Sequence, residues 1–342
     1  MMACVIPARD LDVLDPSRHI DAGAPLIVVD LDGGVPAVPP EPVPSAVLIG
    51  VTRRPVTAEL ASFAAGLDCT LAPAGDQRWM VAVPDVDAAV DGIAAMVGTA
   101  PRAAAALAGL LRMTSRLSVR DGLHAESLTY SMLLAGPEFR RWLASRPRRP
   151  VVPPAGVPAV LVDRAGDHLT VTLNRPERHN AFDRQVRDGL AEALDLARAD
   201  ETIAEVHLRG AGPSFCSGGD LDEFGTTPDV VTAHLIRLER SVAARIHGIK
   251  GRVRAHLHGA CIGAGIELPA FAGRVSAQPD TVIQLPELRF GLVPGAGGTV
   301  SITRRAGRWR CAFLALSGIR LDARTALDWG LVDELGGPAG DE

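Results

Sequence analysis

The chain has 342 residues, enough for one large domain or two modest ones. Apolar residues make up 47%, which supports a sizeable core, and charged residues at 22% sit near the ordinary globular share. A net charge of −5 argues against a general nucleic-acid binder.

Residues 1–83 read as a small α/β region. LIVVDLD (26–32) and AVLIGV (46–51) are short apolar, β-branched runs bounded by Gly, Pro and Asp, the pattern of buried strands. GVPAVPPEPVP between them is a proline-rich connection, and TAELASFAAGL (57–67) has helical spacing. Residues 84–146 read as three helices, the second opened by Pro101. The third runs from Ser118 to Arg146, with Leu123, Leu128, Met132, Leu133 and Trp142 as its apolar positions. A proline-rich linker with a basic cluster, Arg146, Arg148 and Arg149, occupies 147–158 and its edge. A third region, 159–342, alternates strands and helices. It opens on a hairpin turning at Ala165-Gly166-Asp167, and Asp183 through Ala199 is an amphipathic helix. GPSFCSGGDLDEF reads as a glycine loop entering a helix. The rhythm suggests repeated ββα turns rather than a dinucleotide-binding sheet. The G-x-G-x-x-G pattern fails at Leu268, and no Walker lysine is present; Lys250 is the only lysine. Any phosphate clamp must therefore use arginine.

Cys4, Cys69, Cys216, Cys261 and Cys311 are scattered without CxxC spacing, so no metal is expected and the thiols read as reduced and buried. There is no basic segment followed by an apolar signal core, and the longest apolar run, Ala103 to Leu111, is too short to span a bilayer. These features predict a soluble cytoplasmic protein without a membrane or nucleic-acid partner.

The chemistry concentrates between Gly259 and Thr299. Glu267 closes the glycine turn Gly263-Ala264-Gly265 and is followed by an apolar helical run, LPAFA. Glu287 follows the strand-like TVIQLP and precedes Pro294-Gly295-Ala296-Gly297-Gly298. A glycine turn entering a helix presents free backbone N–H groups at a positive dipole end, suited to negative charge developing on oxygen. Two carboxylates beside such a hole can remove and deliver protons next to a carbonyl.

From about Val160 to Leu335 the chain resembles the crotonase superfamily, the enoyl-CoA hydratase/isomerase family. LTVTLNRPERHNAF, FCSGGDLDEF, HGACIGAGIEL, LPELRFGLVPGAGGT and SGIRLDARTALDWGLVDEL occur in the family's order. The resemblance implies a crotonase-like α/β spiral of ββα repeats, here with an additional N-terminal α/β and helical region. It implies catalytic roles for Glu267 and Glu287, and oxyanion-hole N–H groups at Gly219 and Ala264. It implies CoA contacts at Arg178, His179, Ala181, Ser217, Gly218, Asp220 and Leu221. CoA would arrive within the acyl-CoA thioester substrate, with no separate cofactor and no metal, and the assembly would be a homotrimer or homohexamer. Both glutamates together point to hydration of a 2-enoyl-CoA. The alternatives are a double-bond isomerase, a non-catalytic CoA-binding or interaction paralogue, or a specialised hydratase or dehydratase for aryl or carboxylated acyl groups.

TAPRAAAALAGLL and AGPEFRRWLASRP resemble the helical tail that family members carry after the core, here placed before it. The chain stops at Glu342, shortly after GLVDEL, where that tail would begin. The expectation is a permuted cap, from a rearranged gene or from two tandem copies. In the latter case residues 1–83 would be a degenerate first core. Helices 84–146 should then cover the active-site side of their own core or a neighbour's. The sequence departs from the family in RVRAHLHG. There Arg252, Arg254, His256 and His258 alternate with Val253, Ala255 and Leu257, giving one polar face able to bind a carboxylate or phosphate or to meet the N-terminal region. His258, beside the glycine turn, is a candidate to reach the pocket. Pro269 and the absence of an acidic residue in PAFAGRVSA are further departures.

Overall fold

The β-branched runs near the N-terminus become strands. The computed structural model describes residues 4–8, 25–34, 46–55, 57–147 and 156–336. Its first elements are β1 (Cys4–Pro7), β2 (Leu26–Asp30), β3 (Val47–Val51), α1 (Ala58–Gly66), β4 (Cys69–Ala72) and β5 (Met80–Ala82). The five strands lie in sequential order, and every pairing is parallel. A parallel sheet needs cover on both faces. Ile27, Val29 and Leu48 pack against Phe63 of α1 and Trp79. Val28, Ile49 and Leu71 turn to the main core. β2, β3 and α1 match the sequence reading. β1, β4 and β5 escaped it, because runs of three or four residues carry too little periodicity to register. Most of the GVPAVPPEPVP connection lies outside the described residues.

Four helices follow: α2 (Val86–Thr99), α3 (Pro101–Thr114), α4 (Val119–Leu134) and α5 (Pro137–Ser145). Pro101 takes the first position of α3, as read. The expected single third helix is two, because Gly136 and Pro137 end one and start the next. The face of α4 also differs from the reading. Leu128 and Met132 are 58% and 59% exposed, whereas Glu126, Ser127 and Ser131 are buried with Leu123 and Leu133. Helical spacing fixes which residues share a face; the neighbour decides which face is buried. Of the segment 147–158, residues 148–155 lie outside the described residues, and with them Arg148 and Arg149. Arg146 pairs with Asp222 at 2.7 Å.

The remaining chain builds two sheets. Its elements are β6 (Val160–Ala165), β7 (His168–Leu173), α6 (Arg184–Ala199), β8 (Glu205–Gly210), α7 (Val230–Glu239), α8 (Val242–Gly248), β9 (Val253–Leu257), β10 (Ala260–Ile262) and α9 (Ala264–Glu267). Then come β11 (Arg274–Ala277), β12 (Val282–Gln284), α10 (Gly298–Ala306), α11 (Arg308–Ser317), β13 (Leu321–Asp322), α12 (Ala323–Asp328) and β14 (Glu334–Leu335). A six-stranded sheet runs β14-β11-β9-β8-β7-β6, and a three-stranded sheet runs β10-β12-β13. β9 and then β10, β11 and then β12, feed the large and the small sheet in turn, which is the ββα spiral expected. Asp183 caps α6 by accepting from Val186 N at 2.9 Å. The helix expected after FCSGGDLDEF is absent: residues 221–225 form turns, and α7 starts only at Val230.

The N-terminal elements are tied to this core. Buried Asp68 accepts from Leu48 N at 2.9 Å and from Arg112 Nη2 at 2.5 Å, with Arg308 Nη1 3.7 Å away. Trp309 Nε1 donates to Ala65 O at 3.1 Å, and Thr114 Oγ1 to Thr299 O at 2.8 Å. Cys69, Cys216, Cys261 and Cys311 are buried free thiols. Among the described residues no single helix is long and apolar enough to cross a membrane.

Candidate active site

The two glycine loops that precede the first glutamate lie against each other. Cys216 and Cys261 pair as an isolated parallel bridge, and an ideal Cβ on Gly218 would stand 2.9 Å from Ile262 O. This contact brings Gly219 beside the N-terminus of α9. The backbone N–H groups of Gly219 and Ala264 find no acceptor among the described residues. Both residues line a cavity of about 250 Å³. Two unpaired N–H groups facing a cavity can hold an oxyanion.

Glu267 ends the single turn of α9, and Pro269 then converts the chain to a 3₁₀ turn, so the odd proline stops the helix just past the acid. Glu287 opens a separate 3₁₀ turn after Pro286. The two carboxylates face each other across Gly263. An ideal Cβ there would lie 2.5 Å from Glu287 Oε1 and 3.7 Å from Glu267 Oε1. With φ at +50°, this position needs glycine for conformation as well as space.

A third carboxylate enters from α4. Glu126 is 2% exposed, and it shares the N-terminal turn of α10 with Glu267. Glu267 Oε2 accepts from Ala296 N at 2.8 Å and Gly298 N at 2.9 Å. Glu126 Oε1 accepts from Gly297 N at 2.7 Å, and its Oε2 from Thr299 N at 3.0 Å and Thr299 Oγ1 at 2.6 Å. Four successive N–H groups thus alternate between two acids, at a helix end that favours negative charge. The four N–H groups leave Glu267 Oε1 uncommitted. Glu287 has no such support: its Oε2 is buried without a hydrogen-bond partner among the described residues.

These settings separate the acids. Burial raises Glu267 to about 7, while the Gly298 and Ala296 N–H groups pull it back. Burial, then the nearby Glu267 charge, drives Glu287 well above the carboxylate range. Burial and Glu267 also raise Glu126, against its Thr299 and Gly297 donors. Burial without a donor favours the protonated form of Glu287, whereas two backbone N–H groups favour the ionised form of Glu267, a difference suited to an acid beside a base.

Of the predicted contacts, Gly219, Asp220, Ala264, Glu267 and Glu287 line the cavity, and Arg178, His179, Ala181, Ser217, Gly218 and Leu221 do not. Arg178 is held by Asp220 at 3.0 Å and Asp222 at 3.3 Å. His179 and Asn180 both adopt left-handed backbone. Buried Asn180 pins this loop by donating to Ala211 O at 2.9 Å and Ser214 O at 2.8 Å. The polar face of β9 points elsewhere: His258 Nε2 bonds Gly212 O at 2.9 Å and is absent from the cavity lining.

Sequence reasoning missed Glu126, Tyr130 and Arg237, all in the lining. Arg237 donates to Ser127 Oγ at 3.2 Å and to Ser131 Oγ, and its guanidinium stacks 4.7 Å from the Tyr130 ring. No carboxylate lies within ion-pairing distance of it among the described residues. The available signal was an acid and two serines at helical spacing between the apolar residues of α4.

Residues 166–338 match the family described as enoyl-CoA hydratase/isomerase. The chain is 36% identical over 169 residues to a 1,2-epoxyphenylacetyl-CoA isomerase of Escherichia coli K12, across 48% of this chain and 64% of that protein. It is 31% identical over 176 residues to a 2,3-dehydroadipyl-CoA hydratase of the same organism, across 52% of this chain and 68% of that protein. Among solved structures, an enoyl-CoA hydratase from Thermoplasma volcanium GSS1 aligns over 53% of this chain and 72% of its own, at 34% identity and a TM-score of 0.49. The matched part spans about two thirds of the curated relatives' length. The extent of the family match, covering the glycine turns and both glutamates, establishes that the chain belongs to the enoyl-CoA hydratase/isomerase family of the crotonase superfamily.

Proposed function

We propose that the protein hydrates a 2-enoyl-CoA. The observation that carries this reading is the pair of buried carboxylates across Gly263, one gripped by two backbone N–H groups and one whose Oε2 has no partner among the described residues, beside two uncommitted N–H groups. The thioester oxygen lies between the N–H groups of Gly219 and Ala264, which stabilise it as the enolate forms. Glu267 takes a proton from water as the water oxygen bonds to the β-carbon. Glu287 gives its proton to the α-carbon, and the proton gained by Glu267 returns through solvent to restore Glu287.

A specific observation also bears on the acyl group. Arg237 lines the cavity with Ser127 beside it and no carboxylate partner among the described residues. A cation so placed favours an acyl chain ending in a carboxylate or another polar acceptor.

The test is loss of the conjugated thioester absorbance on mixing with short, long and ω-carboxylated 2-enoyl-CoA. Turnover by the wild type, with Glu267→Gln and Glu287→Gln both inactive, supports hydration. Double-bond migration that survives Glu267→Gln but not Glu287→Gln replaces it with isomerisation. Tight CoA binding without turnover of any substrate replaces it with a binding role.

A further inference from the structure

The outer face of the large sheet holds a group of donors that the proposed chemistry does not use. Pairing of β7 with β8 places His168 beside Glu205 and Thr170 beside His207. Pairing of β9 with β11 places His256 beside Ser276. Strand alternation sends Leu169, Val206 and Leu208 inward and the histidines outward. None of these outward residues lines the cavity.

Three donor atoms meet there. His168 Nδ1 is 3.4 Å from His207 Nε2 and 3.7 Å from Glu205 Oε2, and His207 Nε2 is 3.3 Å from that oxygen. The triangle is nearly regular. A tetrahedral ion with bonds of about 2.0–2.1 Å holds its ligands about 3.4 Å apart.

The surrounding hydrogen bonds set the tautomers. Ser276 Oγ donates to Ala255 O at 3.4 Å, so towards His256 Nδ1, 2.9 Å away, it accepts. A neutral His256 then has a bare Nε2, which accepts from His207 Nδ1–H at 2.9 Å. His207 therefore turns the lone pair of Nε2 into the triangle. On the other side Asp167 Oδ1 lies 3.5 Å from His168 Nε2 and favours the proton there, leaving Nδ1 bare. Arg254 Nη2 holds the other oxygen of Glu205 at 3.3 Å. Outer partners on each ligand are the usual support of a metal site.

We propose that His168, His207 and Glu205 bind one divalent transition-metal ion of the zinc or cobalt type, with solvent completing the tetrahedron. The ion clips β7 to β8 and takes no part in turnover. Its ligands lack the local spacing of a sequence motif because they come from two strands, with the histidines 39 residues apart.

The test uses the full chain stripped with chelator and titrated calorimetrically with Zn²⁺ alone at pH 7.5, then with Co²⁺ followed by visible absorption. One ion per chain and the intense spectrum of tetrahedral cobalt are expected. His168→Ala and His207→Ala each weaken Zn²⁺ binding more than about 10-fold, and His256→Ala weakens it by about 10-fold through orientation. His258→Ala, just past the end of β9, leaves it unchanged. His168 is half exposed, so its replacement keeps the test valid if His207→Ala fails to fold. Turnover of the enoyl substrate is unchanged in His168→Ala, which separates this inference from the catalytic one. Binding unaffected by the variants, an octahedral cobalt spectrum, or no stoichiometric binding would overturn the proposal; the last result would mean that a proton alone bridges the donors.

Discussion

Glu267 and Glu126 grip one helical turn, yet a glutamine should have opposite consequences at the two positions. Glu267 uses a single oxygen, Oε2, for both Ala296 N and Gly298 N. A glutamine can put its amide oxygen in that place and turn its NH₂ to the cavity, so both donors stay satisfied. Glu267→Gln should therefore fold as the wild type does and lose about 10²–10⁴ in rate, the share of one general base. Glu126 uses both oxygens, one for Gly297 N and one for Thr299 N. Either orientation of a glutamine there sets an NH₂ against a buried backbone N–H. One hydrogen bond is lost and a buried donor is left unpaired, together about 2–4 kcal/mol. The melting temperature of Glu126→Gln should fall by roughly 5–10 °C. Thermal denaturation at pH 5.5 beside a turnover assay reads both effects. A stable Glu126→Gln with a destabilised Glu267→Gln would refute this account of how the acids are held.

Stability should fall as pH rises from about 6.5 to 8.5, because the folded chain keeps protons on Glu267, Glu126 and Glu287 that the unfolded chain, with carboxylates near 4.5, has already released. Below that window, burial lowers His207, His247 and His256 and opposes the trend; a melting temperature that rises between pH 6.5 and 8.5 would contradict the assignment. Turnover should decline on acidification through about 7 as Glu267 takes up its proton, and a pH–rate profile flat from 5.5 to 8 would exclude it as the base. Ala264→Pro removes one proposed oxyanion donor at a first-turn position where proline fits, and should lower kcat by about 10²–10³ while leaving the melting temperature nearly unchanged. Arg237→Met should reduce kcat/KM for an ω-carboxylated enoyl-CoA by about 10–100-fold and spare an unsubstituted one; equal losses on both would remove Arg237 from acyl recognition.

The sequence by itself determined the family core and where its two candidate acids lie. Glu267 and Glu287 stand beside glycine turns whose composition favours positive φ and free N–H groups, and the opening hairpin, the helix after Asp183 and the strands β8 and β9 have enough periodicity to be read locally, although the helix read after FCSGGDLDEF does not form. Only the tertiary structure decided how those acids are held, because their burial and the alternating N–H donors come from loops far apart in the chain. The same holds for Glu126, whose partner Thr299 is 173 residues away. Nothing local distinguishes an acid that caps a distant helix from a solvated one. Folding likewise made Arg178 a partner of Asp220 and Asp222, and turned the polar face of β9 away from the cavity. The pleat fixes which residues share a face, but only the packing of a sheet against its neighbours fixes which face meets the substrate.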